Sequence, residues 1–244
     1  MLVIGLAAIT VLATFSGGLL ALRAKDRFHL VLGLSAGLLL GLVGFDLLPE
    51  VFDMGAATFG GVKTVSVALI AGFLSLHFIE QFAGSHEPAE SDYGHDHTHA
   101  FEIAGTVGAF AMAGHIFLDG VALALAFKVS NTLGIAVFIA MIVHAFSDGL
   151  NTVALLMKIG QWSQRGKFLL GIDAIARISG AILGSTLVIS DSAISIYLAA
   201  FSGIVIYLAT SHILPEAHAN HPTRATMLAT LTGVLIMWGV VVAF

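Results

Sequence analysis

The chain has no cysteine among its 244 residues. Disulfides and thiolate metal sites are therefore excluded, and any bound metal must be held by nitrogen and oxygen. Charge is scarce: Asp, Glu, Lys and Arg make up 10% of the sequence, against roughly 25% in a soluble domain. The net charge of −5 at pH 7 gives no electrostatic footprint for nucleic acid. There is no nucleotide-binding motif, which argues against direct coupling to ATP, and no His-Glu-x-x-His pair. The stretch from Met1 to Leu22 lacks a basic leader and a small-residue cleavage site, so it reads as a retained first helix.

What fills the chain is apolar. Hydrophobic residues make up 58%, and the mean hydropathy is +0.99. Stretches of about 20 apolar residues recur, the length a bilayer core demands of a helix. They are apolar on nearly every face, unlike the alternating strands of a barrel. The pattern predicts an all-α integral membrane protein, one transmembrane domain over 1–244, with about eight transmembrane helices. The expected spans are 2–22, 28–49, 63–83, 101–127, 132–157, 168–189, 193–215 and 224–243. Lys128, Ser130, Asn131 and Gly134 mark a tight turn between the fourth and fifth.

Basic residues set the orientation. Arg23, Lys25 and Arg27, then Lys158, Arg165 and Lys167, then Arg224 fall in loops on one side; Lys63 and Lys128 fall on the other. Excess basic charge marks the cytoplasmic side, which predicts both termini outside a plasma or inner membrane. Loop 84–100 is then cytoplasmic. Its His95, His97 and His99, interspersed with carboxylates, suit weak metal contact; a solvated linker is the plainer alternative.

Two neighbouring spans share one pattern. Span 4 carries His115-Ile116-Phe117-Leu118-Asp119-Gly120 and span 5 carries His144-Ala145-Phe146-Ser147-Asp148-Gly149. A His and an Asp four residues apart project from one helix face, a turn apart. Antiparallel neighbours can then converge four ligand groups: His115, Asp119, His144 and Asp148. An ionised Asp near the bilayer centre costs ~3 kcal/mol or more, and a divalent cation offsets that for both carboxylates at once. Two imidazoles and two carboxylates suit zinc, and also manganese, iron or cadmium. Gly114, Gly120 and Gly149 would let helices approach closely. Two His–Asp pairs that merely join helices, or relay protons, are the bland alternative.

A second correspondence runs between spans 2 and 7: Asp46-Leu47-Leu48-Pro49-Glu50 against His212-Ile213-Leu214-Pro215-Glu216, with His218 following. Matching elements in antiparallel spans are the signature of an inverted-topology repeat, here three spans, two, and three. Pro49 and Pro215 are expected to kink or end their helices. Asp46 and Glu50 would line the outer mouth, and His212, Glu216 and His218 the inner one. His77 and Glu80 read as interfacial.

In the order and placement of these motifs the whole chain resembles the ZIP (Zrt-, Irt-like protein) family of metal transporters. Leu76-His77-Phe78-Ile79-Glu80 at the end of span 3 adds to the likeness. The resemblance implies a metal centre between spans 4 and 5, divalent metal as transported substrate, no organic cofactor, and a homodimer in the bilayer. It also marks departures. The family's motif prolines are Leu118 and Ser147 here, implying straighter helices. Ligands private to a second ion are replaced by Ile116, Ala145 and Arg177. A mononuclear centre follows, with Arg177 standing where the second cation would sit, unless Arg177 simply pairs with Asp173 one turn away.

The rival class is a metal-dependent intramembrane hydrolase using a zinc-bound water, which gives the paired Leu-Pro-Glu runs no role. A coupled carrier of an organic solute would need more hydrogen-bonding groups than Ser147, Asn151 and Thr152 supply.

Overall fold

A computed structural model describes residues 1–21, 28–83, 98–158, 164–219 and 224–243. They form eight helical rods and one short hairpin. In chain order the rods are α1 (Leu2–Ala21), α2 (Phe28–Leu42, a π-helical turn Val43–Leu47, then Leu48–Met54), α3 (Thr64–Ala83) and α4 (Thr98–Val129). They continue with α5 (Asn131–Lys158), α6 (Gln164–Thr186), α7 (Asp191–Tyr207, a π-helical turn Leu208–Ile213, then Leu214–Ala219) and α8 (Arg224–Ala243). The protein is thus a helical membrane protein. Among the described residues, Leu2–Leu20, His29–Met54, Asp191–His218 and Arg224–Ala243 are long and apolar enough to cross a bilayer; Thr64–Ile79 and Asn131–Phe146 are shorter apolar stretches.

Local chemistry sets the ends. Ser130 alone separates α4 from α5, and its hydroxyl accepts from the Leu133 N–H at 3.0 Å, the bond of an N-terminal cap. Ser190 caps α7 in the same way, accepting from Ala193 N–H at 3.3 Å. Between α2 and α3, strands β1 (Thr58–Phe59) and β2 (Val62–Lys63) pair antiparallel around Gly60 and Gly61. Both glycines have positive φ, 57° and 82°, which a two-residue hairpin turn requires.

Of the two outcomes expected of the prolines, a kink or an end, the end is not found: both rods run on past Pro49 and Pro215. A π turn precedes each. Proline lacks an N–H and clashes with the carbonyl four residues back; widening the preceding turn displaces that carbonyl and lets the helix resume. Leu-Pro-Glu then opens the continuing segment in both places.

Packing divides the rods into two groups. The most extensive contacts are α4 with α6, α1 with α5, α2 with α8, and α3 with α7. Further contacts of α4 with α5 and α1 with α6 join one group of four; contacts of α2 with α7 join the other. Exchanging α1 with α6, α2 with α7, α3 with α8 and α4 with α5 maps this set of pairings onto itself. The start of α2 packs on the end of α7, and the end of α2 on the start of α7, so these two rods are antiparallel.

Reciprocal glycines permit the close pairings. A Cβ on Gly120 would overlap the carbonyl oxygen of Arg177, and one on Gly180 that of Phe117. Gly17 and Gly149 stand in the same relation to Phe146 and Thr14. These crossings bring α4 onto α6 and α1 onto α5 at backbone distance, at the level of the His–Asp motifs. Gly114 differs: nothing lies within 4 Å of a Cβ built there, so it is not a packing glycine.

Candidate metal centre

α4 and α5 are uninterrupted through their motifs, as the missing prolines imply. Their helical spacing puts each His one turn before its Asp on an inward face. All four side chains are buried. The two imidazoles meet edge to face, with Nε2 atoms 3.1 Å apart. His115 Nε2 lies 3.7 Å from Asp119 Oδ2, and His144 Nε2 3.4 Å from Asp148 Oδ2. Four donors about 2.0–2.1 Å from a tetrahedral zinc would be separated by roughly 3.3 Å. The observed separations bracket that value. His115, Asp119 and His144 offer ligand atoms all within 4.8 Å of one another; Asp148 adjoins this trio through His144.

Arg177, 1% exposed, comes from α6. Its Nη1 is 3.7 Å from Asp119 Oδ2 and its Nη2 is 3.8 Å from Asp148 Oδ2. The guanidinium therefore bridges the two carboxylates across three helices. Among the described residues its ion pairs are these two, and the alternative of a pair with Asp173 is not what the side chain makes. Ile116 and Ala145, beside the two histidines, are wholly buried and apolar.

The cluster is under-bonded. Nδ1 of both histidines, Oδ2 of both aspartates and both terminal nitrogens of Arg177 are buried without a hydrogen-bond partner. Buried polar atoms are ordinarily paired; a cation would satisfy the carboxylate oxygens, whereas the Arg177 nitrogens, and the Nδ1 atoms once Nε2 binds an ion, are donors that call for water or another acceptor. A cavity of about 20 Å³ reaches His115, Asp119 and His144, room for one water-sized particle. Its other walls are apolar, including Leu39 and Leu42 from α2, Met141 from α5, and Phe201, Val205 and Leu208 from α7. That lining, and Tyr197 beside it, went unread in the sequence, because a Leu or Phe facing a cavity looks like one facing lipid.

The other expected residues lie apart from this centre. Asp46 is in the π turn of α2, half-buried, with one carboxylate oxygen buried and unpaired; Glu50 follows one turn on. His212 and Glu216 are exposed at the far end of α7. His218 is half-buried, with Nδ1 bonded to the Leu214 carbonyl at 2.8 Å, which leaves Nε2 for a ligand. Because α2 and α7 are antiparallel, the two groups occupy opposite ends of the pair. His77 Nδ1 meets the Tyr207 hydroxyl at 3.3 Å. His95 and His97 lie outside the described residues, as do the side chains of Glu80, His99, Ser147, Asn151 and Thr152.

The profile of the family described as ZIP zinc transporter matches residues 83–240. Zinc transporter YKE4 of Saccharomyces cerevisiae is 24% identical over 227 residues, 82% of this chain and 66% of the yeast protein. Zinc transporter ZIP9 of Micropogonias undulatus is 28% identical over 66% of this chain and 54% of its own length. Zinc transporter ZupT of Corynebacterium aurimucosum is 25% identical over 93% of this chain and 91% of its own. The chain thus spans about half to two thirds of the first two relatives, and nearly all of the third. With the family match covering well over half of the sequence and running through both His–Asp motifs, the protein belongs to the ZIP zinc transporter family.

Proposed function

We propose that the protein carries a divalent metal ion, zinc first, across a membrane through a single-ion centre between α4 and α5. The observation that carries this reading is the convergence of His115, Asp119 and His144 within 4.8 Å of one another inside apolar rods, with Asp148 beside His144. Zinc is favoured because the relatives are named for it; manganese, iron and cadmium suit the same donors. Eight spans with the basic loops cytoplasmic put both termini outside a plasma or inner membrane. The self-matching helix pairings and the twin π turns support an inverted repeat, whose two halves alternate in closing the path.

In the proposed cycle the ion enters past Asp46 and Glu50, sheds water, and binds His115, Asp119 and His144, with Asp148 alongside. It leaves toward His212, Glu216 and His218, then the loop histidines His95, His97 and His99. Motion of the α1/α4/α5/α6 group against the α2/α3/α7/α8 group would change which side has access. Ile116 and Ala145 offer no ligand atoms for a second ion, and Arg177 supplies a fixed positive charge in its place. The hydrolase reading gains nothing from the comparisons, since each relative quoted bears the name of a zinc transporter. Reconstituted into liposomes, the protein should accumulate one or more ions of a zinc, manganese, iron and cadmium panel with saturable kinetics. Uptake no faster than in protein-free liposomes for every ion would refute the proposal.

A further inference from the structure

Among the described residues, several long-range side-chain hydrogen bonds stay within one helix group. Lys63 donates to the Phe52 carbonyl, His77 meets Tyr207, and Lys128 donates to the Leu187 carbonyl. Tyr197 differs. From α7 its hydroxyl crosses to the other group and donates to the Leu118 carbonyl of α4 at 2.7 Å. Leu118 immediately precedes Asp119, so the bond grips the turn that presents a metal ligand. A carbonyl oxygen has two lone pairs, and the Leu118 oxygen can accept from Tyr197 while keeping its place in the α4 ladder. The bond can therefore form and break without unwinding the helix. The Tyr197 ring is stacked on Phe201, centroids 6.3 Å apart and planes 10° apart, and Phe201 lines the cavity that reaches the three ligands.

From this we infer that Tyr197 is a positioning residue for transport: its hydroxyl latches the ligand-bearing turn of α4 to α7 in one conformation of the carrier and lets go when the two groups slide. The inference rests on the transporter reading. Sliding of packed helices has to break contacts that cross the boundary, and this contact is directional, next to a ligand, and coupled to the cavity through Phe201. An interhelical hydrogen bond in a membrane protein shifts an equilibrium by roughly 3- to 10-fold.

The absence of cysteine makes the test clean. Val205→Cys puts a single thiol in the cavity wall. Its labelling rate by a membrane-impermeant thiosulfonate is measured from each side of proteoliposomes, with and without Tyr197→Phe. The substitution keeps the stacked ring and deletes the hydroxyl. The ratio of the two rates should change by roughly 3- to 10-fold, while the zinc dissociation constant stays within about twofold because no ligand is touched. An unchanged ratio, with zinc uptake intact, overturns the latch alone. A loss of zinc affinity with equal rises in labelling from both sides also overturns it, since that marks a loosened fold. Labelling from one side only in every variant, with no zinc uptake by the unsubstituted chain, fails the transporter reading itself.

Discussion

A guanidinium buried to 1% exposure and held 3.7 and 3.8 Å from two carboxylates is costly inside a membrane unless the charges need one another. Here they do. With both aspartates ionised, Arg177 offsets one of the two negative charges and leaves the other for the arriving cation. Replacing Arg177 by Glu reverses that charge and adds a ligand where the second ion would sit. Metal content of the purified protein should rise from about one ion per chain toward two; unchanged content would show that Arg177 plays no part in counting ions. The imidazoles carry a second consequence. His115 and His144 must be neutral to ligate, and protons compete for the same lone pairs. Zinc affinity measured by titration calorimetry should therefore fall as pH is lowered through the titration of these imidazoles, and recover as it is raised. Of these residue-scale features the buried cluster of two His–Asp pairs was readable, because intramembrane charge is rare and the motif recurs. The bridging position of Arg177 was not, since its own-helix neighbour Asp173 offered an equally plausible partner in sequence.

Between rods, glycines decide how near the ligands come. Gly120 lies against the Arg177 carbonyl, one residue from Asp119. Gly120→Ala must push α4 from α6 and separate the carboxylate from the guanidinium. Overpacking of this kind costs ~1–3 kcal/mol, so a lowered melting temperature in detergent and weakened zinc binding are expected. Gly114→Ala, one and a half turns away with open space at its Cβ, should change neither; equal damage from both substitutions would show that helix propensity, not close approach, matters. Most rods begin and end within a few residues of the expected spans, because apolar length and tight-turn residues fix them. Three features escaped. α2 and α7 run on past Pro49 and Pro215, because a π turn absorbs each ring, and no residue type marks a π turn. The β1–β2 hairpin, signalled by Gly60-Gly61, lies between the second and third expected spans, where no element was expected. Gly114 was grouped with the packing glycines although only Gly120 and Gly149 of the three meet a backbone.

Across the whole molecule, two groups of four rods meet along a largely apolar boundary, and the proposed ligands His115, Asp119, His144 and Asp148 all belong to one of them. Such a division suits a carrier in which one group moves with its ion while the other stays in the bilayer. Asp46 with Glu50, and His212 with Glu216 and His218, stand at opposite ends of the antiparallel α2–α7 pair, where two aqueous mouths would open. The most direct measurement is the initial rate of zinc uptake into proteoliposomes holding equal amounts of folded protein, unsubstituted or carrying His115→Ala and His144→Ala together. The account predicts saturable uptake by the unsubstituted chain and its reduction to the protein-free background by the double substitution. Uptake that persists undiminished without both imidazoles would contradict it.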